Sequence, residues 1–256
     1  MKSLVAFIKK EWMDLLRSGR LMIFLVIFLL FGIMNPAIAK LTPWLMEMMS
    51  ESMEQSGFMV TEVTVDAMTS WTQFLKNIPM GLIAFVLISS NLFTKEYSAG
   101  TLILVLTKGL CRYKVVVAKA FTLIFTWSLC YWMCFGVTYG YNAYFWDNSV
   151  AHNLMEVVIF YWIAGVFTVA LMVLFSAVFS TGTGVLLGTG GIFMVSYLVG
   201  MVPKIAKYLP TKLMGTSGLL AGTEEVADFG GALTVTIIIT VMAFVLSVPI
   251  LNKKKL

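Results

Sequence analysis

Charge is scarce in this chain. Only 12 % of the 256 residues are Asp, Glu, Lys or Arg, about half the share of an ordinary soluble domain. That excludes a soluble enzyme domain and a disordered chain, both of which need charge to stay in water. Three cysteines, Cys111, Cys130 and Cys134, are too few for a disulfide-stapled secreted scaffold. None falls in a segment read below as external, so no external disulfide is expected. Cys130 and Cys134 share a helix face and read as polarizable core packing, because no third metal ligand stands near them. The single histidine, His152, stands four residues before Glu156. Two ligands alone make no metal site, so none is assigned. Also missing are a Walker A loop, HExxH, GxSxG and CxxC. The spans below offer hydroxyls and amides, such as Ser89, Ser90 and Asn91, but no base at membrane depth. The chain is therefore read as performing no covalent chemistry, and no catalytic residue is named.

What the chain has in abundance is apolar surface: 59 % of residues are apolar and the mean hydropathy is +0.91. A helix needs roughly 20 apolar residues to cross a hydrocarbon core about 30 Å thick. Six stretches qualify: Leu21–Ala39, Asn77–Thr94, Val115–Tyr141, Val157–Phe179, Val185–Val202 and Gly231–Leu251. Uncharged runs of this length lack the alternation of a barrel strand. The expected fold is all-α, a polytopic membrane protein with six transmembrane helices. Ala37-Ile38-Ala39 mimics a signal-peptidase site, but the apolar run before it exceeds the roughly 7–15 residues of a signal core. It is read as a retained first span.

Six spans place both termini on one side. That side holds thirteen of the 18 basic residues and three of the 13 acidic ones, a net +10, leaving −5 on the other. Basic residues collect in the cytoplasm, so the expected orientation is termini-in, with the overall +5 reflecting topology and not nucleic-acid binding. The spans as bounded above contain no deep Lys, Arg, Asp or Glu. Ion-coupled carriers and proton pumps usually place such groups at membrane depth, which argues against both.

The connections carry further signals. In residues 1–20, Leu4, Phe7, Ile8, Trp12, Leu15 and Leu16 fall on one arc at helical spacing. This predicts an amphipathic helix in the cytoplasmic interface, with Trp12 at headgroup depth. Glu11 projects within the apolar arc, where it either snorkels to the rim or pairs with another cytoplasmic segment. Residues 95–114, KEYSAGTLILVLTKGLCRYK, hold an apolar run, Leu102–Leu106, too short to span. Such a patch needs a cover, either a protein partner or lipid headgroups. Lys40–Lys76 reads as a long, Met-rich external loop, adaptable in its contacts. Residues 203–230 read as short helices dipping back to the membrane face before the last span. Gly184 and Gly188 form a small-xxx-small pair suited to close helix approach. The hydroxyls and amide of Ser89, Ser90 and Asn91 are the polar groups of the second span.

Taken in order, the KKEW…RSGR helix, the FTKEYSAGTLILVLTKGLCRYKVVVAK connection and the YLPTKLMGTSGLLAG stretch resemble the permease subunit of an ABC-2 type exporter. The most specific part is Glu96-x-x-x-Gly100-Thr101 with the apolar run, Arg112 and Lys119. The resemblance covers nearly the whole chain, 1–256, as one permease domain. It implies that residues 1–20 are a connecting helix and 95–114 a coupling loop. Its coupling helix would seat in a cytosolic ATPase through Glu96, Gly100, Thr101, Leu102, Leu104, Leu106 and Arg112, with Glu11 nearby. It implies a second permease copy or paralogue, and spans two and five facing the path. Ser89, Asn91, Gly184 and Gly188 then become pathway or dimer residues. ATP and Mg would belong to the partner ATPase, with no cofactor in this chain. The expected function is an ATP-driven exporter permease of the cell membrane, its cargo hydrophobic or amphipathic. The alternatives are a non-transporting anchor or sensor subunit, and a passive channel.

Overall fold

The computed structural model describes residues 2–54, 65–91, 94, 96, 100–102, 107 and 111–254. Helix α1, Lys2–Arg17, buries Phe7, Glu11 and Leu15 along one stripe, four residues apart, while Leu16 faces outward. Gly19 ends it with φ +70, a left-handed turn that a side chain would strain. The chain turns there into α2, Arg20–Glu54.

At 1.5 Å per residue α2 is about 50 Å long, well beyond a hydrocarbon core. It carries Pro36 and Pro43 internally. The segment expected as an external loop from Lys40 is therefore helical as far as Glu54, because Leu, Met and Glu are good helix formers whatever their hydropathy. Helix α3, Ala67–Ser89, starts ten residues before the expected Asn77. Asp66 caps it by accepting from the Thr69 N–H at 3.2 Å, and Trp71, Phe74 and Leu75 bury its first turns. Lys76 thus lies inside a helix, not at the edge of one. The expectation of no charge deep within a span rests on bounds that start at Asn77, whereas the helix itself takes in Lys76.

The remaining elements keep close to their expected positions. Helix α4 runs Arg112–Phe145, α5 Leu154–Val178 and α6 Gly182–Val199. Residues 203–230 fold into short pieces: α7 (Pro203–Ala206), a 3-10 turn at Pro210–Met214, α8 (Ser217–Leu220) and a 3-10 turn at Val226–Phe229. Leu213, Leu219, Leu220 and Phe229 pin this cap to the bundle. Helix α9, Gly230–Lys253, closes the chain. Among the described residues, six helices are long and apolar enough to cross a membrane. The protein is an all-α, polytopic membrane protein.

Helix α5 sits at the centre, packed by α9, α6 and α4; α2 packs on α3 and α4, and α1 lies on α4. The core is aromatic. Trp127 is fully buried and meets Phe28, Phe85 and Tyr131 with ring centroids 5.8, 5.7 and 5.4 Å away. The indole fits because residue 165 is glycine: a Cβ there would fall inside the Trp127 ring. Cys130 and Cys134 are buried beside it. One polar chain crosses this core. Asn77 Nδ2 donates to Asn35 Oδ1 (2.7 Å), Asn35 Nδ2 to Thr138 Oγ1 (3.0 Å) and Thr138 to the Gly32 carbonyl (3.1 Å). Satisfied amides of this kind fix the register of α2, α3 and α4 where water cannot.

Candidate functional site

Glu11 has two neighbours of opposite kind. Its stripe on α1 is apolar, so Phe7 beside it packs on Leu102, Val115 and Ala118. That packing carries the carboxylate under α4, where Lys119 waits seven residues into the helix. The Lys119 ammonium lies 2.9 Å from Glu11 Oε2 and 3.0 Å from Glu96 Oε2. Lys10 closes the figure, with its ammonium 3.0 Å from Glu11 Oε1 and in contact with Glu96 Oε1. Two cations and two anions alternate around a ring: Glu11, Lys119, Glu96, Lys10. The exposed Asp14 joins its rim, 3.1 Å from Lys10.

The ring's inner half is dry. Glu11 is 4 % exposed and Lys119 1 %. Removing either partner of such a pair strands the other charge, at a cost of about 3–5 kcal/mol. Burial opposes the charge of Glu96, but the ammonium groups of Lys119 and Lys10 outweigh it and hold its carboxyl below the usual range. At Lys10 burial also opposes the charge. The hydrogen bond to Glu96 and the charges of Glu11 and Glu96 overcome it and raise the pKa above the usual lysine value. Glu11, Asp14 and Glu96 bring carboxylate oxygens within 4.8 Å of one another, a spacing a metal could use, yet the Lys10 ammonium contacts all three.

The ring joins three segments far apart in sequence: α1, the connection after α3, and α4. Of the residues expected to couple to a partner, it contains Glu11 and Glu96. Gly100 sits in the same connection with φ +65, and Thr101 is exposed. Leu102, expected on the docking surface, is instead buried against Phe7. Leu104 and Leu106 lie outside the described residues. Arg112 does other work. Its Nη1 donates to the carbonyls of Leu251 (2.6 Å), Asn252 (2.9 Å) and Lys254 (3.0 Å), capping the end of α9. Lys254 in turn donates to the Phe179 carbonyl at the end of α5, at 2.7 Å. Sequence reasoning did not assign Lys10 or Lys119 to the site. The signal for Lys119 was present, a lone cation among apolar residues in the opening turns of a span.

The second group of expected residues divides. Asn91 lies against Gly182 at the start of α6, and Ser89 is buried nearby with no hydrogen-bond partner for its hydroxyl. Gly184 and Gly188 face Phe179 and Phe175 of the same chain, where an added Cβ would come within 2.7 and 2.6 Å of the rings. Part of their small face is therefore covered by the end of α5. Between α3, α5 and α6 runs an apolar groove of about 400 Å³, lined by Leu82, Ile83, Val86, Thr189, Phe193 and Tyr197 among others.

With helices, ring and groove in place, the comparison with known proteins decides the family. The family described as ABC-2 family transporter protein matches residues 5–229. This chain belongs to the ABC-2 transporter family. The match takes in five of the six apolar helices and ends where α9 begins. The chain is also similar to an uncharacterized transmembrane protein, YxlG, of Bacillus subtilis (strain 168), with 23 % identity across 97 % of this chain and 96 % of that protein. As an ABC-2 protein, the chain is a transmembrane component of a transporter. The ring then lies where α1, Glu96 and the opening turns of α4 meet.

Proposed function

We propose that this ABC-2 protein is the permease subunit of an ATP-driven exporter in the cell membrane, with both termini cytoplasmic. The ATPase is a separate cytosolic chain that holds ATP and Mg; the permease pairs with a second copy or a paralogue. The observation that carries this reading is the ring. Glu96 belongs to the connection that the family resemblance assigns to ATPase docking, and Lys119 ties it to a transmembrane helix. Force applied to that connection reaches α4 through ion pairs and not through a flexible loop.

The mechanism is mechanical transduction. Closure of the ATPase dimer on ATP displaces the 95–111 connection. Glu96 drags Lys119 and Glu11 with it, so α1 and α4 move as one body with the connection. The displaced α4 shifts the aromatic core around Trp127 and, with it, the α3 and α5 walls of the groove. The groove then changes its opening from one face of the membrane to the other. Its lining favours a hydrophobic or amphipathic cargo.

Affinity purification of the tagged chain from its native membrane, with mass spectrometry of its companions, tests this. A Walker-containing ATPase is expected to accompany the chain. It is expected to be lost when residues 96–106 are replaced by a polar linker. An exporter permease that retains no ATPase, under conditions that preserve other such complexes, would refute the reading.

A further inference from the structure

Helix α1 sorts its charges. Its two acids, Glu11 and Asp14, both lie against the Lys10 ammonium, on the side of the ring. Three cations stand apart from them. Lys9 and Arg17 are exposed, and Arg20 opens α2 just beyond the Gly19 turn, partly exposed. Among the described residues no carboxylate pairs with any of the three. Lys9, Met13 and Arg17 follow at four-residue steps and so form one row of the helix.

An apolar row runs beside the cationic one. Val5, Ile8, Trp12 and Leu16 recur at three- or four-residue steps, and Val5 and Leu16 are 64 % and 58 % exposed. Helix α1 thus has three faces. Phe7, Glu11 and Leu15 are buried, Val5 to Leu16 are apolar and open, and Lys9 to Arg17 are cationic and open.

Trp12 shows what medium meets the apolar face. Its ring stands edge-on to Phe125 of α4, with centroids 5.0 Å apart. Phe125 belongs to a row at four-residue steps, Val117, Phe121, Phe125 and Leu129, each 39–48 % exposed. On a helix of spanning length, an open apolar row of this kind faces lipid tails. The apolar face of α1 is therefore continuous with the lipid-facing surface of the bundle. Its cationic row, next around the helix, then lies at headgroup depth.

We infer that α1 binds anionic phospholipid. Acidic headgroups pair with Lys9, Arg17 and Arg20, and their acyl chains pack on Val5, Trp12 and Leu16. The lipid seats the helix: headgroups hold α1 from one side while Glu11 and Lys10 join the ring on the other. This goes beyond the exporter reading and does not depend on it, because the site needs no ATPase.

The test reconstitutes the full chain in nanodiscs of equal parts phosphatidylglycerol and phosphatidylcholine. The protein is released into mild detergent, and its retained lipid is identified by native mass spectrometry. Phosphatidylglycerol is expected to be retained in preference. Lys9→Gln, Arg17→Gln and Arg20→Gln should each lower that preference about fivefold, the factor that roughly 1 kcal/mol per basic residue supplies. The triple variant should retain the two lipids alike. Lys253→Gln removes an exposed lysine at the end of α9 and should leave the preference intact. Amide hydrogen exchange reads the seating. Exchange in residues 5–16 should be slower in phosphatidylglycerol discs than in phosphatidylcholine discs, and the triple variant should lose that difference. Its exchange in α4 and α5, matching the unaltered protein, shows that it is folded. Equal retention of the two lipids by the unaltered protein overturns the assignment. So does a preference that survives the triple change, or one that Lys253→Gln lowers as much as Lys9→Gln does. Exchange in α1 that is indifferent to the lipid overturns the seating role. No ATPase is present, so the outcome is independent of whether one co-purifies.

Discussion

Glu11 and Lys119 are 108 residues apart in sequence and 2.9 Å apart in space, both almost wholly withdrawn from water. A carboxylate on the apolar face of an amphipathic helix is an error by hydrophobic patterning alone. It becomes intelligible once the facing helix supplies an ammonium and Glu96 supplies a second anion. The ring is neutral overall: two cations answer two carboxylates. Neutrality is what allows four ionised groups to gather where only Lys10 keeps substantial contact with solvent.

Neutral substitutions should therefore be context-dependent. Lys119→Met leaves Glu11 and Glu96 to share the Lys10 ammonium, one buried negative charge uncompensated, and is expected to destabilise the detergent-solubilised protein by up to about 3–5 kcal/mol. Adding Glu11→Gln and Glu96→Gln should recover most of that loss, because the buried charges disappear together. Thermal unfolding of the single, double and triple variants gives the coupling directly. Strictly additive losses would show that the ion pairs do not act as a unit.

The ring also sets a pH window. Glu96 titrates below its ordinary value of 4.5, so its stabilisation is complete above that value and lost as pH falls through the lowered folded one. Lys10 titrates above its ordinary 10.5, so its contribution is complete below that value and lost as pH rises through the raised one. Stability should be flat between these limits and decline on both sides. Glu96→Gln should remove its share of the acid decline and leave the rest of the profile in place. Unfolding midpoints measured across the pH range check this, and an acid limb unchanged in Glu96→Gln would contradict it.

Fold class was legible because length and hydropathy alone force six helices. Helix starts were not. The first ten residues of α3 carry Gln73 and Lys76, which a hydropathy rule reads as loop. The Asp66 cap and the burial of Trp71 and Phe74 override that reading. Glu11 was recognisable as an anomaly, since a charge on an apolar arc demands a partner. Its partner was not nameable, because nothing in one sequence says which of several basic residues lies across the gap. The contacts of Arg112 were hidden for a related reason. Its place in a family-like stretch suggested docking, whereas the structure turns its guanidinium onto the carbonyls that end α9. For the glycine pair the spacing reveals a small face but not which helix meets it.

Arg112 supplies a prediction of its own. The last carbonyls of a helix have no intrahelical donor, and Arg112 satisfies three at the end of α9. Arg112→Gln should fray that end, raising amide hydrogen exchange around residues 250–254 while leaving α5 and the aromatic core protected. Charge-assisted hydrogen bonds of this kind contribute about 1.5–3 kcal/mol. The expected increase in local exchange is thus at least tenfold. Exchange that rises equally throughout the bundle would mean that Arg112 supports the whole fold and not this one helix end.

Gly188 and Phe175 decide whether the small face of α6 is filled from within. Gly188→Ala places a methyl group 2.6 Å from the Phe175 ring, a contact that cannot persist without displacement. Overpacking of this kind costs about 1–3 kcal/mol. Truncating the neighbour should relieve it. Phe175→Leu combined with Gly188→Ala is expected to be more stable than the sum of the single changes, by an amount that thermal unfolding of the monomeric detergent complex can resolve. If the face instead served a second subunit, Gly188→Ala would leave monomer unfolding unchanged and weaken dimerisation, and Phe175→Leu would provide no rescue. Because the two outcomes fall on different observables, one pair of variants separates intrachain packing from subunit contact.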